Sequence, residues 1–232
     1  MLFLAVFSGF LAENYKDYLS EEASAKEYAK ALIMDLERDT LSVKGIKIQH
    51  ELVVMSIDSI SDIIHRSVSE KKVRGAFYYY CQISSFSPAI SINDATFTQL
   101  TQSGNLRYFK SPEVITKISE YYVQQRYLSR LWISESEKRN MVIQIKARIL
   151  DNYHYKAYSK LTPGLNDPKD MPDSLMNEWL PLQTNDKDVL NEFANTLENR
   201  RFYFNWTKEN VFPKYTLQAK ELIALLKKEY SI

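Results

Sequence analysis

Three histidines, one cysteine and 29 Asp+Glu are the side chains of this 232-residue chain that could ligate a metal or start nucleophilic or acid–base chemistry. His50, His65 and His154 lack HExxH spacing and have no neighbouring Cys or His, so they do not compose a zinc site. On one helix His50 and His65 would stand about 22 Å apart along the axis, too far to share an ion. They read as exposed or hydrogen-bonded residues. Cys81, between Tyr80 and Gln82 with no nearby His, reads as a small buried hydrophobe rather than a nucleophile. Glu135 and Glu137 fall two apart and do not face each other on a helix. The chain holds no GxSxG elbow, P-loop or GxGxxG, chemistries whose backbone geometry needs glycine, and Gly numbers only five. These residues predict no metal site, no cofactor and no catalytic residue; enzyme function is disfavoured, with a hydrolase as the form it would take.

One constellation is less bland. Tyr28, Leu32, Asp35 and Asp39 are spaced four, three and four, which aligns two carboxylates with the apolar face of a helix. Carboxylates at a core margin need a partner, and Arg107 in Gly104-Asn105-Leu106-Arg107 is a candidate cation. Alternatively Asp35 is solvated and Asp39 caps the next turn.

The elements that must position these residues are helices. The chain is 45% hydrophobic and 25% charged, with seven Pro, a balance that suits a folded all-α protein and starves turn-rich barrels and sandwiches. Net charge is +1, which leaves no field to attract nucleic acid. Leu32, Ile33 and Leu36 keep helical spacing, Thr40 to Ser42 reads as an interruption, and a second helix carries Val43, Ile46, Val53, Ile57, Ile60 and Ile64. Ala76 to Ile83 is aromatic and reads as helical or irregular. Asn93 or Asp94 caps a short helix that Gly104 closes. Ser111-Pro112-Glu113 starts a long helix whose stripe reaches Tyr153, with a kink near Ser134 to Ser136. Thr162 to Thr184 is a loop with a short helical turn near Leu175 to Trp179. Asn185 or Asp186 caps a further helix, and Pro213 precedes the last one.

Residues 1–12, MLFLAVFSGFLA, form an uncharged run that continues into an amphipathic pattern without a break. Twelve helical residues rise about 18 Å, short of a bilayer core of about 30 Å. The run is read as the C-terminal part of a transmembrane anchor that starts before this sequence, with a signal-peptide core and a buried helix as alternatives. A basic segment before it and a small-x-small site after it, the marks of a signal peptide, are not visible. Glu13, Asp17, Glu21 and Glu22 outnumber Lys16 and Lys26 downstream, which places residues 13–232, a helical extracytoplasmic domain, away from the cytoplasm.

Two aromatic stretches exceed what one helix face can bury: Phe77, Tyr78, Tyr79 and Tyr80, and Phe202, Tyr203, Phe204 and Trp206. They are candidates for an interaction surface, since such side chains dominate interface hot spots. The alternative is that they close the ends of the helical bundle.

The chain resembles an uncharacterised family of small single-pass bacterial membrane proteins, mainly from Bacteroidota and known only as a domain of unknown function. The resemblance rests on an apolar helix running into Asn14-Tyr15-Lys16-Asp17, on Glu27-Tyr28, Leu32, Asp35-Leu36 and Asp39, on Thr96 to Leu106 with Gly104 and Asn105, on Tyr121-Tyr122, and on Leu222 to Tyr230. Tyr15 stands where the family has Trp, and the first half of the anchor with its basic stretch is not in this sequence. The resemblance implies an N-terminal anchor and a helical extracytoplasmic domain, and it brings no known activity, cofactor or catalytic residue. The expected protein is a single-pass inner-membrane module with its main domain in the periplasm. It would act as an accessory or scaffold subunit through other membrane proteins or self-association, with the lipid bilayer contacted by the first helix. A periplasmic small-molecule sensor is the alternative.

Overall fold

The computed structural model describes residues 2–67, 70–88, 92–162 and 166–232, with no account of the side chains of residues 2, 5 and 67. The protein is all-α with long helices: α1 (Leu2–Ser67), α2 (Gly75–Ser84), α3 (Ala95–Gln102), α4 (Pro112–Ile149), α5 (Asn152–Tyr155), α6 (Asp173–Asn177), α7 (Lys187–Trp206) and α8 (Phe212–Tyr230). Two three-residue strands, β1 (Lys72–Arg74) and β2 (Trp179–Pro181), pair antiparallel with Val73 opposite Leu180. The chain divides into two compact units. Unit 1 comprises Met1–Ser42, Ser91–Arg126 and Lys214–Ile232; unit 2 comprises Val43–Ile90 and Tyr127–Pro213.

Several expected boundaries move. The helix does not break at Thr40 to Ser42. Thr40 turns its hydroxyl back onto the Leu36 carbonyl (2.9 Å), a bond compatible with an unbroken helix, and so it gives no stop. Helix α4 runs through Ser134 to Ser136 without a break in its helical assignment, and it ends at Ile149, short of Tyr153. There Leu150 bridges to Leu182, and Asp151 caps α5 by accepting from the Tyr153 and His154 amides. Helix α8 begins at Phe212, and Pro213 lies inside its first turn rather than before it. Proline has no N–H for the preceding turn, and a π turn over Thr207–Val211 precedes it, joining α7 to α8.

Other signals hold. Helix α4 starts at Pro112, Gly104 takes the left-handed conformation (φ 70°) just past α3, and Asp186 caps α7 through the Asp188 amide (2.8 Å).

In unit 1 the core is built from Ala25, Ala29, Leu32, Ile33 and Leu36 of α1 with Val114, Ile118, Tyr121, Tyr122, Tyr215, Ala219, Leu222 and Leu226, each set at helical spacing. In unit 2 the apolar α2 is buried among Val53, Ile57, Ile60, Val142, Ile149, Phe193 and Leu197, as a helix hydrophobic on all sides must be. Gly75 opens α2 where a Cβ would lie 1.9 Å from the Leu175 carbonyl oxygen, so only glycine fits.

Along residues 3–20 of α1, every side chain described is exposed, including Phe3, Leu4, Val6, Phe7, Phe10 and Leu11. Among the described residues no helix is long and apolar enough to cross a membrane.

Candidate functional site

Each unit buries charge, and the two do so differently. In unit 1 the helical spacing of Asp35 and Asp39 places both on the buried face of α1. Asp39, 2% exposed, accepts on Oδ1 from the Asn93 backbone N–H (3.0 Å) and side-chain amide (2.8 Å). Its Oδ2 lies 2.6 Å from the Tyr121 hydroxyl and 2.8 Å from the Tyr215 hydroxyl, which are themselves 2.6 Å apart, with the Gln125 amide at 3.5 Å. Asp35 accepts from Thr96 Oγ1 (2.5 Å), and the Asn105 amide donates to the Tyr28 hydroxyl (2.9 Å). Asp35 and Asp39 therefore share the buried face as expected, each with its own partners, but the expected cation does not join them. Arg107 rests over the Tyr108 ring, and hydroxyls and amides satisfy the carboxylates instead. The other expectation, a solvated Asp35 and a capping Asp39, is corrected too: both are buried and the helix runs on. Short neutral donors reach a packed interior without the desolvation cost of a guanidinium.

Unit 2 buries two cations. Arg200, 0% exposed, pairs with Glu135: its Nε donates to Oε1 at 2.6 Å, and Nη2 also contacts that oxygen. Its Nη1 and Nη2 donate to the carbonyls of Ser84, the last residue of α2, and of Phe86 (2.8 Å) just beyond it. Ser87 donates to the other Glu135 oxygen, so this pair is closed on every side.

Lys146 is 6% exposed. Its Nζ donates to the Tyr155 hydroxyl (2.7 Å), which donates to Gln82 Oε1, and Gln82 in turn donates to the Leu161 carbonyl (3.0 Å). The ammonium stands 4.7 Å from the Tyr155 ring centroid. Burial, with Arg139 and Arg200 nearby, brings the lysine from the usual 10.5 down to about 8. Burial pushes the Tyr155 phenol up to about 12 and raises the Cys81 thiol, so both are neutral near pH 8.

A cavity of about 490 Å³ opens beside this lysine. Arg139, Ile143, Lys146 and Ala147, spaced four, three and one along a face of α4, line one wall with Leu150 just past the helix end, while Gln82, Ser85, Phe86, Asn152 and Tyr155 complete it. Arg139 is fixed by donating from Nε to the Ser85 carbonyl (2.9 Å). Two cations thus look into a largely aliphatic and aromatic cavity, an arrangement that fits recognition of a polar group on an apolar body.

Sequence reasoning missed Lys146, Arg139, Tyr155 and Gln82. The available signal was a lysine set between Val142, Ile145 and Ile149 on an apolar stripe. Glu135, dismissed for its spacing from Glu137, proves to be the partner of Arg200 from 65 residues away.

The aromatic surface is corrected. Phe77, Tyr78 and Tyr79 are fully buried, with the Tyr78 hydroxyl donating to Pro181 O (2.6 Å) and that of Tyr79 to Asn166 O (2.7 Å). Tyr203 and Phe204 are core residues as well. Their hydroxyls and rings hold loops and helices together inside unit 2. Phe202 is 68% exposed, and Tyr80 and Trp206 are half-buried. Asn14 and Tyr15 are exposed on α1.

His50 is buried, with its ring 4.5 Å from Phe204 and 5.3 Å from Phe212; burial drops it to about 3 and keeps it neutral. Among the described residues no group of three or more His, Cys, Asp or Glu is placed to hold a metal ion. No family model, no curated protein and no solved structure matches the chain.

Proposed function

We propose that the protein is a membrane-anchored helical module that acts by association, its N-terminal helix held in an inner membrane and its main domain on the periplasmic side. The observation that carries this is the unpartnered apolar surface of Phe3, Leu4, Val6, Phe7, Phe10 and Leu11 on a helix continuous with the folded units. So many contiguous apolar side chains left in water oppose solubility, and a bilayer offers them the same environment a core would. Acidic residues downstream favour the extracytoplasmic side. The proposed relationship to the Bacteroidota membrane family rests on the sequence motifs at Asn14 to Asp17, at Asp35 and Asp39, and at Thr96 to Leu106. Association with other membrane proteins or a second copy would use Phe202 with Trp206, the rings of the aromatic stretches not taken up by the core.

Vesicle flotation tests the anchor. The full chain should rise with phosphatidylethanolamine and phosphatidylglycerol vesicles, and the variant combining Phe3→Asp, Phe7→Asp and Phe10→Asp should stay at the bottom with unchanged circular dichroism. Equal partitioning of the two would refute the anchor.

The cavity beside Lys146 favours a second reading, in which unit 2 takes up a small molecule and the module is a sensor or carrier.

A further inference from the structure

We propose that the Lys146 cavity of unit 2 binds a monocarboxylic acid with a compact apolar body, its carboxylate held by Lys146 and Arg139 and its body against Phe86, Ile143 and Leu150. The inference deepens the second reading above and does not depend on the membrane anchor.

An ammonium withdrawn from water is expensive unless an opposite charge or a full set of acceptors replaces its hydration. Unit 2 shows what replacement looks like at Arg200, where Glu135 and two backbone carbonyls take up the guanidinium. Lys146 is nearly as deeply buried, yet its hydrogen-bond partner is one phenol. Among the described residues no carboxylate lies within ion-pair distance of Lys146 or of Arg139. Arg139 and Arg200 act on the lysine as cations, Arg200 already balanced by Glu135, and the neutral Cys81 and Tyr155 complete its surroundings, which leaves Lys146 and Arg139 without a counter-charge. An anion is the ligand that supplies it.

The class of anion follows from the walls. Of the polar residues in the lining, Gln82 and Ser85 already donate to backbone carbonyls, and beside Phe86, Ile143, Ala147 and Leu150 the cavity suits a singly charged group better than phosphate, whose fuller hydration it cannot replace. A carboxylate carries one charge on two acceptor oxygens, matching an ammonium with donors to spare and a guanidinium whose Nε alone is engaged. Tyr155 and Gln82 hold the ammonium in place through a hydrogen-bond chain anchored on the backbone, so the donor is pre-organised before a ligand arrives. A cavity of about 490 Å³ lies in the range of small-molecule sites.

Isothermal titration of the full chain at pH 7 with 3-phenylpropanoate and with 3-phenylpropan-1-ol, which shares its body and lacks the charge, provides the test. The acid should bind about tenfold or more tighter than the alcohol, the increment expected of a charge-assisted hydrogen bond. Lys146→Met should weaken the acid about tenfold and leave the alcohol unchanged. Arg139→Gln, which keeps the stem and an amide donor, should show the same direction and serves if the first variant does not fold. Inorganic phosphate should not compete. Acid and alcohol binding equally, or phosphate displacing the acid, would overturn the carboxylate assignment while leaving a ligand site in place. Binding of neither compound would overturn both the assignment and the sensor reading.

Discussion

Asp39 in unit 1 and Lys146 in unit 2 are both buried ions on long helices, and they are treated in opposite ways. Asp39 is surrounded by donors from three chain segments: Asn93, then Tyr121 and Gln125 of α4, then Tyr215 of α8. Lys146 has one phenol and a cavity. A saturated buried ion ties elements together and has no capacity left for a ligand. An under-satisfied one destabilises the fold locally and keeps that capacity, which is how binding sites differ from structural networks. Arg200 and Glu135 give the comparison an internal reference, since they lie in the same unit as Lys146 and are closed in the same manner as Asp39.

The largest effect should come from opening the saturated network. Asp39→Ala removes the shared acceptor of the Asn93 side-chain amide, the Asn93 backbone N–H and the two phenols, one of which can still donate to the other, and its expected cost is about 3–5 kcal/mol. Urea denaturation should show unit 1 losing that stability. A loss below about 1 kcal/mol would mean that water replaces the carboxylate and that the network is not what holds these segments.

Lys146→Met should act with the opposite sign. The lysine is brought down from the usual 10.5 to about 8, so at neutral pH the folded protein carries a charge it holds poorly. Between about pH 8 and 10.5 the unfolded chain binds the proton that the folded chain has released, so the wild-type stability gains on the variant as pH rises through that window. The whole difference is at most about 3 kcal/mol. Below pH 8 the variant should be the more stable of the two, and by pH 10.5 the advantage should be gone. A variant less stable than wild type at pH 7 would show that the lysine is satisfied after all.

How much of this was legible in the sequence follows from the range of the interactions. Helix starts and stops are encoded locally, so Ser111-Pro112, Asp186 and Gly104 could be read with their neighbours alone. The alignment of Asp35 and Asp39 with an apolar face was legible for the same reason. Their partners were not, because Asn93, Tyr121 and Tyr215 lie 54, 82 and 176 residues away, and nothing in a tyrosine's neighbourhood announces that its hydroxyl is needed elsewhere. The paired strands, three residues each, are too short for alternation to show. The aromatic stretches misled in a different manner. Tyr78 and Tyr79 carry polar tips that suit a surface, and only the carbonyls of Pro181 and Asn166 explain how they are buried. Lys146 was passed over because an apolar stripe is read for its hydrophobic residues, whereas the informative position was the charged one inside it.

The comparison turns on the lysine itself, and its protonation can be observed directly. Side-chain carbon and proton shifts of Lys146 in selectively labelled protein, assigned by their loss in Lys146→Met, should titrate near pH 8 in the free protein. With saturating 3-phenylpropanoate the midpoint should move upward, because an adjacent carboxylate favours the ammonium. A midpoint near 10.5 that the acid leaves in place would contradict the account, since Lys146 would then be as well satisfied as Asp39 and the two units would not differ.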